Sequence, residues 1–202
     1  MPRSFGITFD YLCPFARNAN EHVVAALDAD ADWDVRFVPY SLAQGHLDEG
    51  EPAYWDREVP SEGSGILAFQ VGLAVRDHLP ERFRQVHLAL FAARHDDGAD
   101  IKDADVIRRV LQEQGIDDEE IFGIVNAGMP LKCLAEEHVA AVDNYSVWGV
   151  PTFIAGGRGV FVRIMDRPDG DADHARATIE QVLDLVEHAP MLHEFKQTDL
   201  PR

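Results

Sequence analysis

The chain begins with a strand that runs directly into a cysteine and a proline. Phe5, Ile7 and Phe9 alternate with small or polar residues, and that period of two predicts a strand over residues 4–10. Tyr11, Leu12, Cys13 and Pro14 follow, and proline is favoured in the first turn of a helix because its missing N–H has no partner to lose there. Phe15, Ala19, Val23, Ala26 and Leu27 then supply an apolar helical stripe, so Cys13 falls at a strand-to-helix junction. Trp33, Val35 and Phe37 predict a second strand over residues 33–39. Two strands joined through a helix run parallel with a right-handed crossover, which commits the chain to an α/β sheet.

From residue 61 onward the apolar spacing becomes helical and predicts five helices, over 65–78, 81–95, 104–114, 118–127 and 131–145. Residues 150–155 and 160–164 predict an antiparallel hairpin about a turn at Gly156 to Gly159. A last helix is predicted over 172–188 on the stripe Ala175, Ile179, Val182, Leu183 and Val186, with Asp171 and Asp173 suiting the positive end of its dipole. The order β-α-β, helices, β-β-α predicts a split core (1–60 and 146–202) around an inserted helical subdomain (61–145), with one mixed sheet covered by helices on both faces. The tail from Pro190 shows no period and is expected to lie along the surface or stay mobile.

A formal charge of −18 over 202 residues disfavours nucleic acid and anionic lipid as partners. The acidic stretches 29–34, 96–105 and 117–120 read as solvated faces. No apolar run approaches the length of a membrane span and the start lacks a signal-peptide core, so a cytoplasmic protein is expected. Two cysteines build no disulfide framework in a chain of this length, which makes any cysteine chemistry reactive. The nine histidines give no HExxH and pair with no CxxC, so no metal is expected. His78, His87 and His95 read as surface or half-buried helix residues, and His22, two turns along the first helix, as too distant to act as a base for Cys13.

A thiol attacks as thiolate, and a helix N-terminus favours that anion through unpaired amides and the dipole, lowering a cysteine pKa from about 8.5 to as little as about 3.5. The other reading of Cys13 is a small buried hydrophobe. Its position favours chemistry, because ligands gather at the C-terminal ends of strands in open α/β sheets.

The run Phe9, Asp10, Tyr11, Leu12, Cys13, Pro14, Phe15, followed far along the chain by Trp148, Gly149, Val150, Pro151, Thr152, Phe153, resembles the DsbA-like thioredoxin-fold family. That group includes the kappa-class glutathione transferases and the 2-hydroxychromene-2-carboxylate isomerases. The resemblance implies that Cys13 is the attacking sulfur, that Pro151 is a cis-proline opposite it, and that the Val150 backbone pairs with bound peptide or thiol. Without the resemblance, Pro151 reads as a trans proline opening a strand. Tyr11, Pro14, Phe15, Trp148 and Thr152 complete the expected substrate-binding set.

Redox members of the family carry a second cysteine where this chain has Ala16, so the dithiol route is closed at this site. The expectation is a monothiol thiol-disulfide oxidoreductase with no tightly bound cofactor, using glutathione or another low-molecular-weight thiol as cosubstrate. Small thiols or disulfides and protein disulfides are its expected partners. A glutathione-type transferase or isomerase of the same fold is the second reading, and a non-catalytic thiol- or peptide-binding module the third. Cys133 reads as a bland residue, turned from the stripe of its helix toward Glu137.

Overall fold

Strand β1 (Arg3–Phe9) buries its last five residues, and β2 (Trp33–Pro39) lies parallel to it with Arg3 opposite Trp33 and Phe9 opposite Pro39. Helix α1 (Pro14–Asp28) links them, with Pro14 in its first turn. The computed structural model describes residues 2–58 and 64–197. The boundary expected between residues 60 and 61 therefore lies outside the described residues, as does the end of the tail.

After β2 comes a four-residue helix, α2 (Leu42–Gly45), then a 3-10 turn at Tyr54–Asp56. Neither is long enough to leave a stripe in the sequence. Helices α3 (Ile66–His78), α4 (Pro80–His95), α5 (Ala104–Glu113), α6 (Asp118–Asn126) and α7 (Met129–Tyr145) follow. Strands β3 (Thr152–Ala155) and β4 (Arg158–Phe161) and helix α8 (Ala172–His188) complete the described elements. The sheet has the order β2-β1-β3-β4, with β3 antiparallel to both β1 and β4, which makes it mixed. Helix α8 packs on α1 and on β3 and β4, while α7 packs on α3 and β2.

The hairpin is tighter than expected. Gly156 and Gly157 both take positive φ, 56° and 75°, and close a two-residue turn that pairs Ala155 with Arg158, so Gly159 belongs to the strand. β4 therefore ends at Phe161, and Arg163 and Ile164 fall in the connection to α8.

His87 is fully buried, which corrects its reading as a surface or half-buried residue. Phe9, Tyr11, Phe37, Phe83 and Phe91 ring it. Asn20 donates from Nδ2 to the Ala16 carbonyl (2.7 Å), which turns its Oδ1 toward His87 Nε2 (3.0 Å); Nε2–H donates there, and Nδ1 accepts from the Tyr11 hydroxyl at 2.9 Å. Both ring nitrogens are thus satisfied in the neutral form, and burial pushes the His87 pKa down to about 3. Gly72 of α3 leaves the space that the Tyr11 hydroxyl occupies.

Several acidic residues do more than face solvent. Asp103, Asp117 and Asp171 cap α5, α6 and α8. Asp96 pairs with Arg17 and Arg167, and Asp118 with Arg108. At the start of β1, Arg3 engages Glu180, Asp184 and Glu187 of α8. Residues 190–197 are exposed and form neither helix nor strand. No helix among the described residues is long and apolar enough to cross a membrane.

Candidate active site

Past β1 the backbone folds back at Asp10, whose carbonyl accepts from the Cys13 N–H at 3.0 Å. This turn makes Cys13 the N-cap of α1, with extended backbone. Its sulfur accepts from the Ala16 N–H at 3.5 Å and donates to the Val150 carbonyl at 3.6 Å. The Val150–Pro151 peptide is cis, and both residues are buried. The fold therefore brings the first strand-to-helix junction against the entry to β3.

A sulfur that donates to a carbonyl is a thiol at rest. Cys13 is only 7% exposed, and burial raises its pKa above the ordinary value. The Ala16 and Phe15 amides and the Arg163 guanidinium favour the thiolate, the Asp10 carboxylate opposes it, and burial outweighs the helix terminus. The expected resting thiolate is thereby corrected, since desolvation depends on packing that a position at a helix start does not reveal.

The remaining expected residues separate into two groups. Pro14 and Trp148 are exposed and Phe15 is half-buried; Trp148, 66% exposed, packs on Phe161 with ring centroids 4.6 Å apart. Arg163 lies over the Phe15 ring at 5.3 Å and closer to it than to Phe161, at 5.9 Å. These residues form an outer rim. Tyr11 and Thr152 face inward instead: Tyr11 has no exposed surface, and Thr152 donates from its N–H to Thr8 Oγ1 and from its hydroxyl to the Gly149 carbonyl, each at 2.7 Å. A hollow of about 980 Å³ opens elsewhere on the sheet, beside Ser4, Gly6, Trp33, Arg36 and Gly156, and does not include Cys13.

Two residues near the thiol went unread in the sequence. Asp10 is buried and accepts from the Leu12 and Leu42 N–H groups at 2.9 and 2.8 Å, yet burial pushes its carboxyl up to about 6. Its place between the strand and the cysteine was the available signal. Arg163 offers none, because the strand expected over residues 160–164 includes it.

Cys133 lies on α7, where it accepts from Arg76 Nη2 at 3.2 Å and donates to Glu137 Oε1 at 3.1 Å. Burial and Glu137 push its thiol up to about 12. Peptide mapping after brief iodoacetamide treatment at pH 7.5 is therefore expected to find Cys133 unmodified. Alkylation of Cys13 is expected to climb about tenfold per pH unit up to pH 9, following the thiolate fraction. A rate already level at pH 7 would contradict the raised pKa.

A family model described as a DSBA-like thioredoxin domain matches residues 7–173. The search of curated proteins finds no match. Among solved structures, a 2-hydroxychromene-2-carboxylate isomerase is similar with a TM-score of 0.63 and 16% identity, over 92% of this chain and 98% of that one. The cytosolic disulfide reductase DsbM from Pseudomonas aeruginosa, solved with glutathione, gives 0.61 and 21%, over 90% and 100%. DsbA from the same organism gives 0.55 and 21%, over 91% and 85%.

Proposed function

Because the chain belongs to the family of DSBA-like thioredoxin domains, we propose that it is an enzyme, a thiol-disulfide oxidoreductase that works through Cys13 alone and is reset by a low-molecular-weight thiol of the glutathione type. The observation that carries this reading is the seat of the Cys13 sulfur, between the Ala16 amide at 3.5 Å and the Val150 carbonyl at 3.6 Å. A substrate sulfur arriving beside Val150 displaces the thiol from that carbonyl and meets the nucleophile at the same point.

Cys13 loses its proton to solvent and attacks one sulfur of a disulfide; a Cys13–substrate bond forms, the substrate S–S bond breaks, and the other sulfur leaves as thiolate. The Ala16 and Phe15 amides hold the sulfur anion during the exchange. A free thiol then attacks the mixed disulfide, restoring Cys13 and carrying off the substrate sulfur as a new disulfide. Arg163, exposed at the rim, offers a guanidinium to the carboxylates of a glutathione-type thiol. The glutathione present in the structure of the similar reductase supports that choice of thiol, and the cytosolic description of that reductase supports a reducing compartment.

A second reading has one observation in its favour. A buried thiol that donates a hydrogen bond can hold a bound cosubstrate thiolate without joining it, which is the demand of a transferase or isomerase.

Incubation with glutathione disulfide followed by intact-mass measurement separates the two. The oxidoreductase reading expects one glutathione per chain, mapped to Cys13 and lost in Cys13→Ser. Glutathione binding by calorimetry with no covalent adduct would establish the second reading, and neither adduct nor binding would leave a non-catalytic module.

A further inference from the structure

We propose that His22, Asp166 and His174 bind a divalent transition-metal ion such as Zn²⁺. Each offers one ligand atom, and the three atoms lie within 4.8 Å of one another. His174 Nε2 and Asp166 Oδ2 are 3.3 Å apart, and the two imidazole rings have centroids 5.6 Å apart.

The decisive feature is the state of His22. It is fully buried, and its Nδ1 lies 2.9 Å from the Asn18 carbonyl, which can only accept, so Nδ1 carries the proton. In the neutral ring Nε2 is then a bare lone pair. Nε2 is buried with no hydrogen-bond partner, and the His22 ring lies beside that of His174 with the planes 62° apart. Such an acceptor is costly to leave unmet, and a histidine fixed through its other nitrogen on a backbone carbonyl is how metal ligands are usually held.

The other two ligands can adjust. His174 and Asp166 are exposed, the first in the opening turn of α8 behind its Asp171 cap, the second in the connection after β4. Zinc-to-nitrogen bonds of about 2.1 Å put tetrahedral ligand atoms about 3.4 Å apart, so drawing these exposed side chains inward completes three ligands. A fourth position stays open to water. Arg167, the nearest cation in sequence, is engaged by Glu21 and Asp96. Two imidazoles and one carboxylate suit zinc, cobalt or nickel better than calcium or magnesium. The bound ion would tie α1, the connection to α8 and α8 itself together, nine residues and about 14 Å along α1 from Cys13.

The test uses the full chain with Cys13→Ser and Cys133→Ser, so that no thiol competes. Zn²⁺ titration by calorimetry is expected to give one equivalent with micromolar or tighter Kd, with Tm rising as Zn²⁺ is added. Co²⁺ is expected to give visible absorption free of thiolate charge transfer. Asp166→Asn and His174→Ala, both at exposed positions that leave the core intact, are each expected to weaken binding at least about tenfold. No stoichiometric binding in the micromolar range, or binding that survives both substitutions, would overturn the proposal.

Discussion

Lowering the pH from 7 to 4 is expected to remove about 3 to 4 kcal/mol of folding free energy, an effect centred on one imidazole. His87 is neutral and fully hydrogen-bonded inside the fold with a pKa near 3, whereas in the unfolded chain it titrates near 6.5. A base with a depressed folded pKa gives stability that is whole above 6.5 and is lost as pH falls toward 3. By pH 4 that loss is about 3 kcal/mol. His138, stacked on Tyr40 and accepting from the Ser41 N–H at 3.2 Å, is pushed down to about 4 by burial and adds a loss of similar size and sign. Asp10 acts in the opposite sense. Its folded pKa near 6 exceeds its unfolded value of 3.8, so protonation between those limits relieves a buried charge and returns about 2 to 3 kcal/mol. Asp96, held low by its bond from Arg17, and Asp118, held low by bonds from Gln112 and Arg108, add to the loss. Urea unfolding at pH 7, 5.5 and 4 measures the net slope; a stability that holds level or rises on acidification would mean that His87 is charged or solvated.

The Ala16→Cys variant is expected to shed the glutathione adduct that the proposed function expects the native chain to keep. Positions 13 and 16 lie one helical turn apart at the start of α1, a separation of about 5 to 6 Å that a disulfide spans. After reaction with glutathione disulfide, a thiol at position 16 attacks the mixed disulfide, forms the 13–16 bond and releases glutathione. Adduct is expected to fall by about two orders of magnitude, because the tethered thiol competes at an effective concentration that free glutathione does not reach. Intact mass distinguishes the products, since the variant ends two hydrogens lighter with no glutathione attached. Ala16 is fully buried, so urea unfolding of the variant accompanies the assay. A folded Ala16→Cys protein that keeps its adduct would show that the Cys13 sulfur does not face the helix start during exchange.

Much of the architecture could be read from the chain because it rests on local periods and caps. The alternation Trp33, Val35, Phe37 and the cap Asp171 gave β2 and α8 their observed limits. What escaped depends on which surfaces meet. In α4, His87 lies four residues from both Phe83 and Phe91, a row that points it inward; its polarity argues for the surface, and the partners that satisfy it, Tyr11 and Asn20, meet it only in the folded chain. At Cys13 the amides of the helix start favour the anion as expected, but burial outweighs them, and one of the groups against the sulfur is the Val150 carbonyl, more than a hundred residues away. His22, Asp166 and His174 share no spacing that a motif could express, and only the packing of α1 against α8 brings them together.

The ring of aromatics around His87 also bears on how a substrate reaches the sulfur. This imidazole belongs to α4, yet both its nitrogens are bound by residues of the β1–α1 segment, so swinging the helices away from the sheet would strip two buried polar pairs and expose several rings at once. A hinged cap is therefore an unfavourable way in. On the proposed function, entry falls to small side-chain displacements around the exposed Trp148 and Pro14 and the half-buried Phe15, so the width left between them, rather than any swing of the scaffold, would filter which disulfides are admitted.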